Sequence, residues 1–129
     1  MPDFYSACDV LVLPSNNCLE TFGRVLVEAM SCETPVIGSK IGGIPEVLGG
    51  EFRRFLFQAG SADELAGLLV RMKNLQREHS ELRRQCREHV LQFFSLDATI
   101  DGVESVFLRS IEERRRYSMR AHGIILPRQ

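Results

Sequence analysis

Glu20-Thr21-Phe22-Gly23-Arg24-Val25-Leu26-Val27-Glu28 is the stretch that decides how the chain folds. Phe22, Val25, Leu26, Ala29 and Met30 recur at the spacing of one helix face, which predicts a helix from about Phe22 to Ser31. An apolar run ending in Pro14 precedes it. The unit therefore reads as strand, loop, helix, with one carboxylate, Glu20, before the first turn. The second, Glu28, falls roughly 60° from Val25, on the flank of the apolar stripe. Unpaired amides at a helix start favour an anion, and Gly23 would let a ligand approach the backbone. A phosphate at the amides, flanked by two carboxylates that accept from hydroxyls, describes a site for a sugar nucleotide.

Upstream, Val10-Leu11-Val12-Leu13 is apolar without alternation, as in a parallel strand buried on both faces. Phe4 to Cys8 reads as a short helical turn. Downstream, Glu33-Thr34-Pro35 is a turn and Val36-Ile37 a short strand opened by Pro35. Gly38 to Gly43 forms a loop, and Ile44 to Leu48 a short helix ended by Gly49-Gly50. Arg54 to Phe57 reads as a third strand. Ser61 and Glu64 have the spacing of a capping box, ahead of a helix carrying Leu65, Leu68, Leu69, Met72 and Leu75. Ser80 and Ser95 are expected to cap two further helices. Their apolar faces are Leu82, Cys86, Val90, Phe93 and Ile100, Val103, Phe107, Ile111. From Arg114 a frayed tail is expected. Alternating strands and helices imply an α/β sheet with parallel strands. Ligands bind such sheets beyond the strands' carboxyl ends, where loops 14–21 and 38–43 lie.

The 129 residues suit one domain by length, and the net charge of -1 gives no general attraction to nucleic acid or anionic membrane. No apolar run reaches the ~20 residues of a membrane span. Met1-Pro2-Asp3-Phe4 lacks the basic start and apolar centre of a signal peptide. Cys8, Cys18, Cys32 and Cys86 form no CxxC pair, so they read as thiols in a reducing cytosol. His79, His89 and His122 have no metal-ligand spacing and read as structural or exposed. Gly42-Gly43 is either a plain turn or a nucleotide-contacting loop, and Arg24 faces either phosphate or solvent. Glu46 reads as a first-turn residue favoured by the helix dipole and Lys40 as solvated. Arg114-Arg115-Arg116 reads as a solvated helix end and Phe93-Phe94 as packing.

Four motifs, in order, carry a resemblance. They are Val12-Leu13-Pro14-Ser15, Glu20 to Met30, Thr34-Pro35-Val36-Ile37-Gly38 and Gly42-Gly43-Ile44-Pro45-Glu46. Together they resemble the family 4 (group 1) retaining glycosyltransferases, whose signature is a Glu, seven residues and a second Glu; the likeness continues weakly to about Ile111. It implies a partial Rossmann-like parallel sheet with C-terminal helices, the C-terminal half of the second domain of the GT-B fold. Residues 1–113 would form that part and 114–129 a flexible tail. The resemblance implies sugar transfer from a UDP-, GDP- or ADP-sugar with retention of anomeric configuration. The acceptor stays undefined, and no cofactor or tightly bound metal is expected. Carried over, Glu20 is the catalytic candidate at the donor sugar. Thr21, Phe22, Gly23, Arg24 and Val25 contact sugar and diphosphate, and Glu28 holds the ribose hydroxyls. The protein would be cytoplasmic, at most peripheral at the membrane's cytoplasmic face.

A complete member is roughly three times longer. Met1 is thus expected to be an internal Met, and this chain to lack the acceptor domain and the donor domain's first half, where the family places a basic pair on the diphosphate. The chain alone would then be inactive, and its open sheet edge beside Val10–Leu13 would invite self-association. The competing reading is a non-catalytic remnant acting as a nucleotide-binding or interaction module. A sugar-nucleotide epimerase of the same fold fits the Phe22-Gly23 context less well.

Overall fold

A computed structural model of the chain describes residues 1–17, 19–74 and 79–121. It divides into two compact units, Met1–Gln92 and Phe93–Gln129. In the first, α1 (Pro2–Ser6) leads to β1 (Leu11–Leu13), α2 (Arg24–Ser31), β2 (Val36–Ser39) and α3 (Ile44–Val47). A 3-10 helix (Gly50–Phe55), β3 (Leu56–Phe57), α4 (Ala62–Asn74) and α5 (His79–Phe93) follow. The sheet order is β1-β2-β3 and both pairings are parallel, as the strand–helix alternation requires. Leu11 lies opposite Val36 and Leu13 opposite Gly38; Gly38 in turn lies opposite Leu56.

β2 is the centre of this sheet and is buried along its whole length. Leu26, Ala29 and Met30 of α2 are fully buried, as are Ile44 and Val47 of α3. The two helices converge on Gly38: a Cβ there would lie 2.6 Å from Ile44 of α3, 3.1 Å from Leu48 at its end and 3.5 Å from Leu26 of α2. Only a residue without a side chain lets them close over the strand.

The structure corrects several expectations. β1 is half-buried rather than buried on both faces, because among the described residues it pairs only with β2. The third strand is shorter than Arg54–Phe57, since a 3-10 helix runs through Phe55. Helix α2 starts at Arg24, two residues late, because Gly23 is left-handed at φ 84°. Phe22 is consequently outside the helix and 38% exposed. Ser61 does cap α4, its Oγ accepting from the Glu64 amide at 3.3 Å. The reciprocal arm goes elsewhere: Glu64 Oε2 accepts from the Gln58 amide at 2.7 Å, while the Ser61 amide donates to the Gln58 carbonyl. Ser80 lies inside α5, which begins at His79.

Along α4 and α5 the expected faces bury Met72, Leu82, Cys86 and Val90, whereas Leu69 is 39% exposed. Leu75 lies outside the described residues, as does Cys18; Cys8, Cys32 and Cys86 are free thiols. His89 is structural: its Nε2 is 2.9 Å from the Val47 carbonyl and its ring is 4.8 Å from Phe52.

The second unit contains α6 (Leu96–Ala121), capped by Ser95 Oγ accepting from the Ala98 amide at 3.1 Å. Helix continues through Arg114, Arg115 and Arg116, where a frayed tail was expected; residues 122–129, with His122, lie outside the described residues. Ile100, Val103, Phe107 and Ile111 are about half exposed, and Phe93 is 55% exposed where packing was expected. One helix cannot close a core by itself.

Candidate functional site

The loops that follow β1 and β2 leave the same end of the sheet because the strands are parallel. Ser39 ties them together: its buried hydroxyl donates to the Ser15 carbonyl at 2.7 Å. The Gly42-Gly43 turn closes the other side. A Cβ on Gly42 would overlap the Glu20 carbonyl, and one on Gly43 would lie 2.8 Å from the Phe22 Cα, so the two backbones are in direct contact. The glycine pair is thus neither a plain turn nor simply a ligand loop. It is the surface that shapes residues 20–22.

Glu20, at the end of that loop, turns back over the tip of α2. Its Oε1 accepts from the Gly23 amide at 2.8 Å and from the Phe22 amide at 3.4 Å. Two of the amides expected to be open to a ligand are therefore occupied by the chain's own carboxylate. Arg24 and Val25 open the helix, where no intrahelical carbonyl is available to their amides, and Gly23 at the cap has no side chain to offer them. Gly23 itself is buried, and a Cβ there would face Ile44, Leu26 and Leu13 at 3.4 to 3.5 Å. It supplies the left-handed turn that aims α2. Thr21 is exposed at the head of the loop.

Glu28 lies on the flank of α2, as its spacing predicts, with its side chain 42% exposed. Both of its oxygens are engaged. Tyr5, from α1, donates its phenol hydrogen to Oε2 at 2.8 Å, and Arg24 reaches Oε1 at 3.3 Å. Arg24 is thus paired with a carboxylate one turn away while its side chain remains 84% exposed. The bond to Glu28, and after it burial, pushes the Tyr5 phenol above its ordinary value. Tyr5 is 3% exposed and its carbonyl accepts from the buried Thr34 hydroxyl at 2.6 Å. Sequence reasoning missed Tyr5 and Ser39. The available signals were weak: a phenol in an opening helix needs a partner if it is buried, and Ser39 is a lone hydroxyl at the end of an apolar strand.

Lys40 is exposed, and its amide extends the β3 pairing by donating to the Phe57 carbonyl at 2.7 Å. Glu46 lies in the first turn of α3. Among the described residues no cluster of three His, Cys, Asp or Glu side chains could hold a metal ion. Within the same residues no helix is long and apolar enough to cross a membrane.

The family described as "Glycosyl transferases group 1" matches residues 1–92, the whole of the first unit. The chain belongs to this family. Among curated proteins, it is 34% identical over 103 residues to a D-inositol 3-phosphate glycosyltransferase of Saccharomonospora viridis, covering 80% of this chain and 23% of that protein. It is 30% identical over 99 residues to the N-acetyl-alpha-D-glucosaminyl L-malate synthase of Bacillus anthracis, covering 77% and 26%. Among solved structures, Anabaena Alr3699/HepE in complex with UDP superposes with a TM-score of 0.71 at 30% identity, over 85% of this chain and 30% of that one. The same protein in complex with UDP-glucose gives 0.69, also at 30% identity, over 84% and 29%. The group 1 chain thus has the α/β architecture of a GT-B glycosyltransferase and spans about a quarter of the length of the curated relatives it matches.

Proposed function

We propose that this protein serves the transfer of a sugar from a nucleotide-sugar donor to an acceptor with retention at the anomeric carbon, and that the chain holds part of the donor site. The observation that carries this reading is α2 itself: Glu20 at its tip, first-turn amides behind it, and Glu28 held on its flank. The relatives are glycosyltransferases, and the Anabaena neighbour binds UDP and UDP-glucose. A UDP-sugar is therefore the donor to test first, ahead of GDP- and ADP-sugars.

Each group has a distinct part in this reading. The amides of Arg24 and Val25, at the positive end of the α2 dipole, face the diphosphate and stabilise charge as it develops on the leaving group. Glu28 accepts from the ribose hydroxyls. Glu20 accepts from the sugar hydroxyls once the donor takes over the Phe22 and Gly23 amides. Its carboxylate stands at the same amides that the donor would contact. Thr21 and Phe22 line the approach.

The test is a titration of UDP-glucose into the 129-residue chain, followed by amide resonances. Shifts confined to residues 20–28 and 39–43 are the expected result. Saturable shifts that leave these residues untouched would remove the donor-site reading. Transfer or hydrolysis of UDP-glucose by the chain alone should stay at background, since catalysis depends on orienting both substrates. Robust turnover would overturn that part.

A further inference from the structure

Glu28 is useful as a ribose acceptor only if its carboxylate points in one direction before the nucleotide arrives. A Glu side chain on an exposed helix flank would otherwise sample several rotamers and lose that freedom on binding. Two groups could hold it. Arg24 is one turn away on the same helix and 84% exposed, so its contact is a solvent-screened surface pair of little strength. Tyr5 is different in each respect. It comes from another helix, 23 residues earlier in the chain, and is 3% exposed. Its backbone is pinned by the buried Thr34 hydroxyl at 2.6 Å, and the Phe4 ring lies edge-on to its own at 5.8 Å. A phenol fixed at both ends reaches Oε2 at 2.8 Å.

We propose that Tyr5 is a positioning residue, whose phenol fixes the Glu28 carboxylate in the orientation that receives the ribose hydroxyls of a nucleoside diphosphate. The inference rests on the reading of Glu28 as the ribose acceptor. A carboxylate has about four acceptor lone-pair sites. Tyr5 takes one at Oε2 and Arg24 one at Oε1; the sites left over can accept from a diol. The specificity that follows is for ribose over deoxyribose. A nucleotide lacking the 2'-hydroxyl forfeits one charge-assisted hydrogen bond, and the fixed carboxylate cannot swing to compensate.

The test compares UDP with 2'-deoxyuridine diphosphate, each titrated into the 129-residue chain and into its Tyr5→Phe and Glu28→Gln variants. Wild type should bind UDP about tenfold more tightly than the deoxy form, the scale of one hydrogen bond to a charged group. Glu28→Gln and Tyr5→Phe should each lose most of that ratio. If Tyr5 served only to pack α1, Tyr5→Phe would weaken both nucleotides alike and leave the ratio intact. That result, with the ratio still lost in Glu28→Gln, overturns the role of Tyr5 alone. A wild type that does not distinguish the two nucleotides overturns the ribose reading of Glu28 and the inference together. A second measurement needs no change at Tyr5: its phenol resonance, titrated against pH, should ionise at lower pH in Glu28→Gln than in wild type. Equal midpoints would show that the contact is not made and would overturn the proposal.

Discussion

Gly42 stands against the backbone of Glu20 so closely that a methyl group on the glycine would overlap the Glu20 carbonyl oxygen. Gly42 also has φ +53°, in the left-handed region. The loop after β2 thereby fixes the path of the loop after β1, and with it the place of the carboxylate at the helix tip.

Gly42→Ala should therefore cost about 1–3 kcal/mol of stability through overlap and backbone strain, and should also weaken UDP binding. Gly67, in the middle of α4 with open space around it, is the control. Gly67→Ala should stabilise by up to about 1 kcal/mol and leave binding unchanged. Urea denaturation and calorimetry of the two variants check this, and equal effects would contradict it.

The end of α2 has a second strained residue. The Thr34 amide donates to the Ala29 carbonyl and the Glu33 amide to Met30, closing the helix with Glu33 left-handed at φ 61°. A glycine is the residue that ordinarily occupies this position. Since Glu33 is exposed, Glu33→Gly should raise stability by about 0.5–1 kcal/mol, the steric relief exceeding the entropy of the glycine. A lower midpoint in urea would contradict the expected gain.

Cys86 on α5 is fully buried, and burial pushes its thiol up to about 12 from an ordinary 9.0. A raised value in the folded state means that the fold favours the protonated thiol. Its contribution to stability is complete below pH 9 and is lost as the pH rises from about 9 through 12. Cys86→Ala should remove that part of the alkaline loss of stability. At pH 8 in the folded chain, half-buried Cys8 and Cys32 should react with an alkylating reagent well before Cys86. Mass spectrometry of the labelled thiols reads the order.

Self-association through β1, expected from the open sheet edge, has its own check. Among the described residues, Leu11–Leu13 pair on one side only, with Val36, Ile37 and Gly38. An unpaired, half-buried apolar edge is a template for another strand. The chain should sediment above its monomer mass at high concentration, and Val12→Lys should reduce that. A monodisperse monomer with slowly exchanging amides in β1 would argue against pairing at this edge.

Local rules in the sequence were enough for the parallel sheet, the α2 face of Leu26, Ala29 and Met30, and the flank position of Glu28. Each follows from periodicity or from the chain's alternation of strand and helix, and neither needs knowledge of distant partners. The four motifs likewise marked the family before any coordinates. Helix boundaries were less legible: the start of α2 shifted because Gly23 adopts a conformation that its neighbours do not dictate. Exposure of the α6 face was not legible either, because an apolar stripe looks the same whether or not another element covers it. The site's finer arrangement was decided only by tertiary structure. Tyr5 meets Glu28 across 23 residues, Ser39 meets Ser15 across 24, and Gly42 meets Glu20 across the whole of α2 and β2. These contacts depend on where the sheet carries each segment, and a sequence pattern with a period of two or 3.6 residues holds no record of that distance.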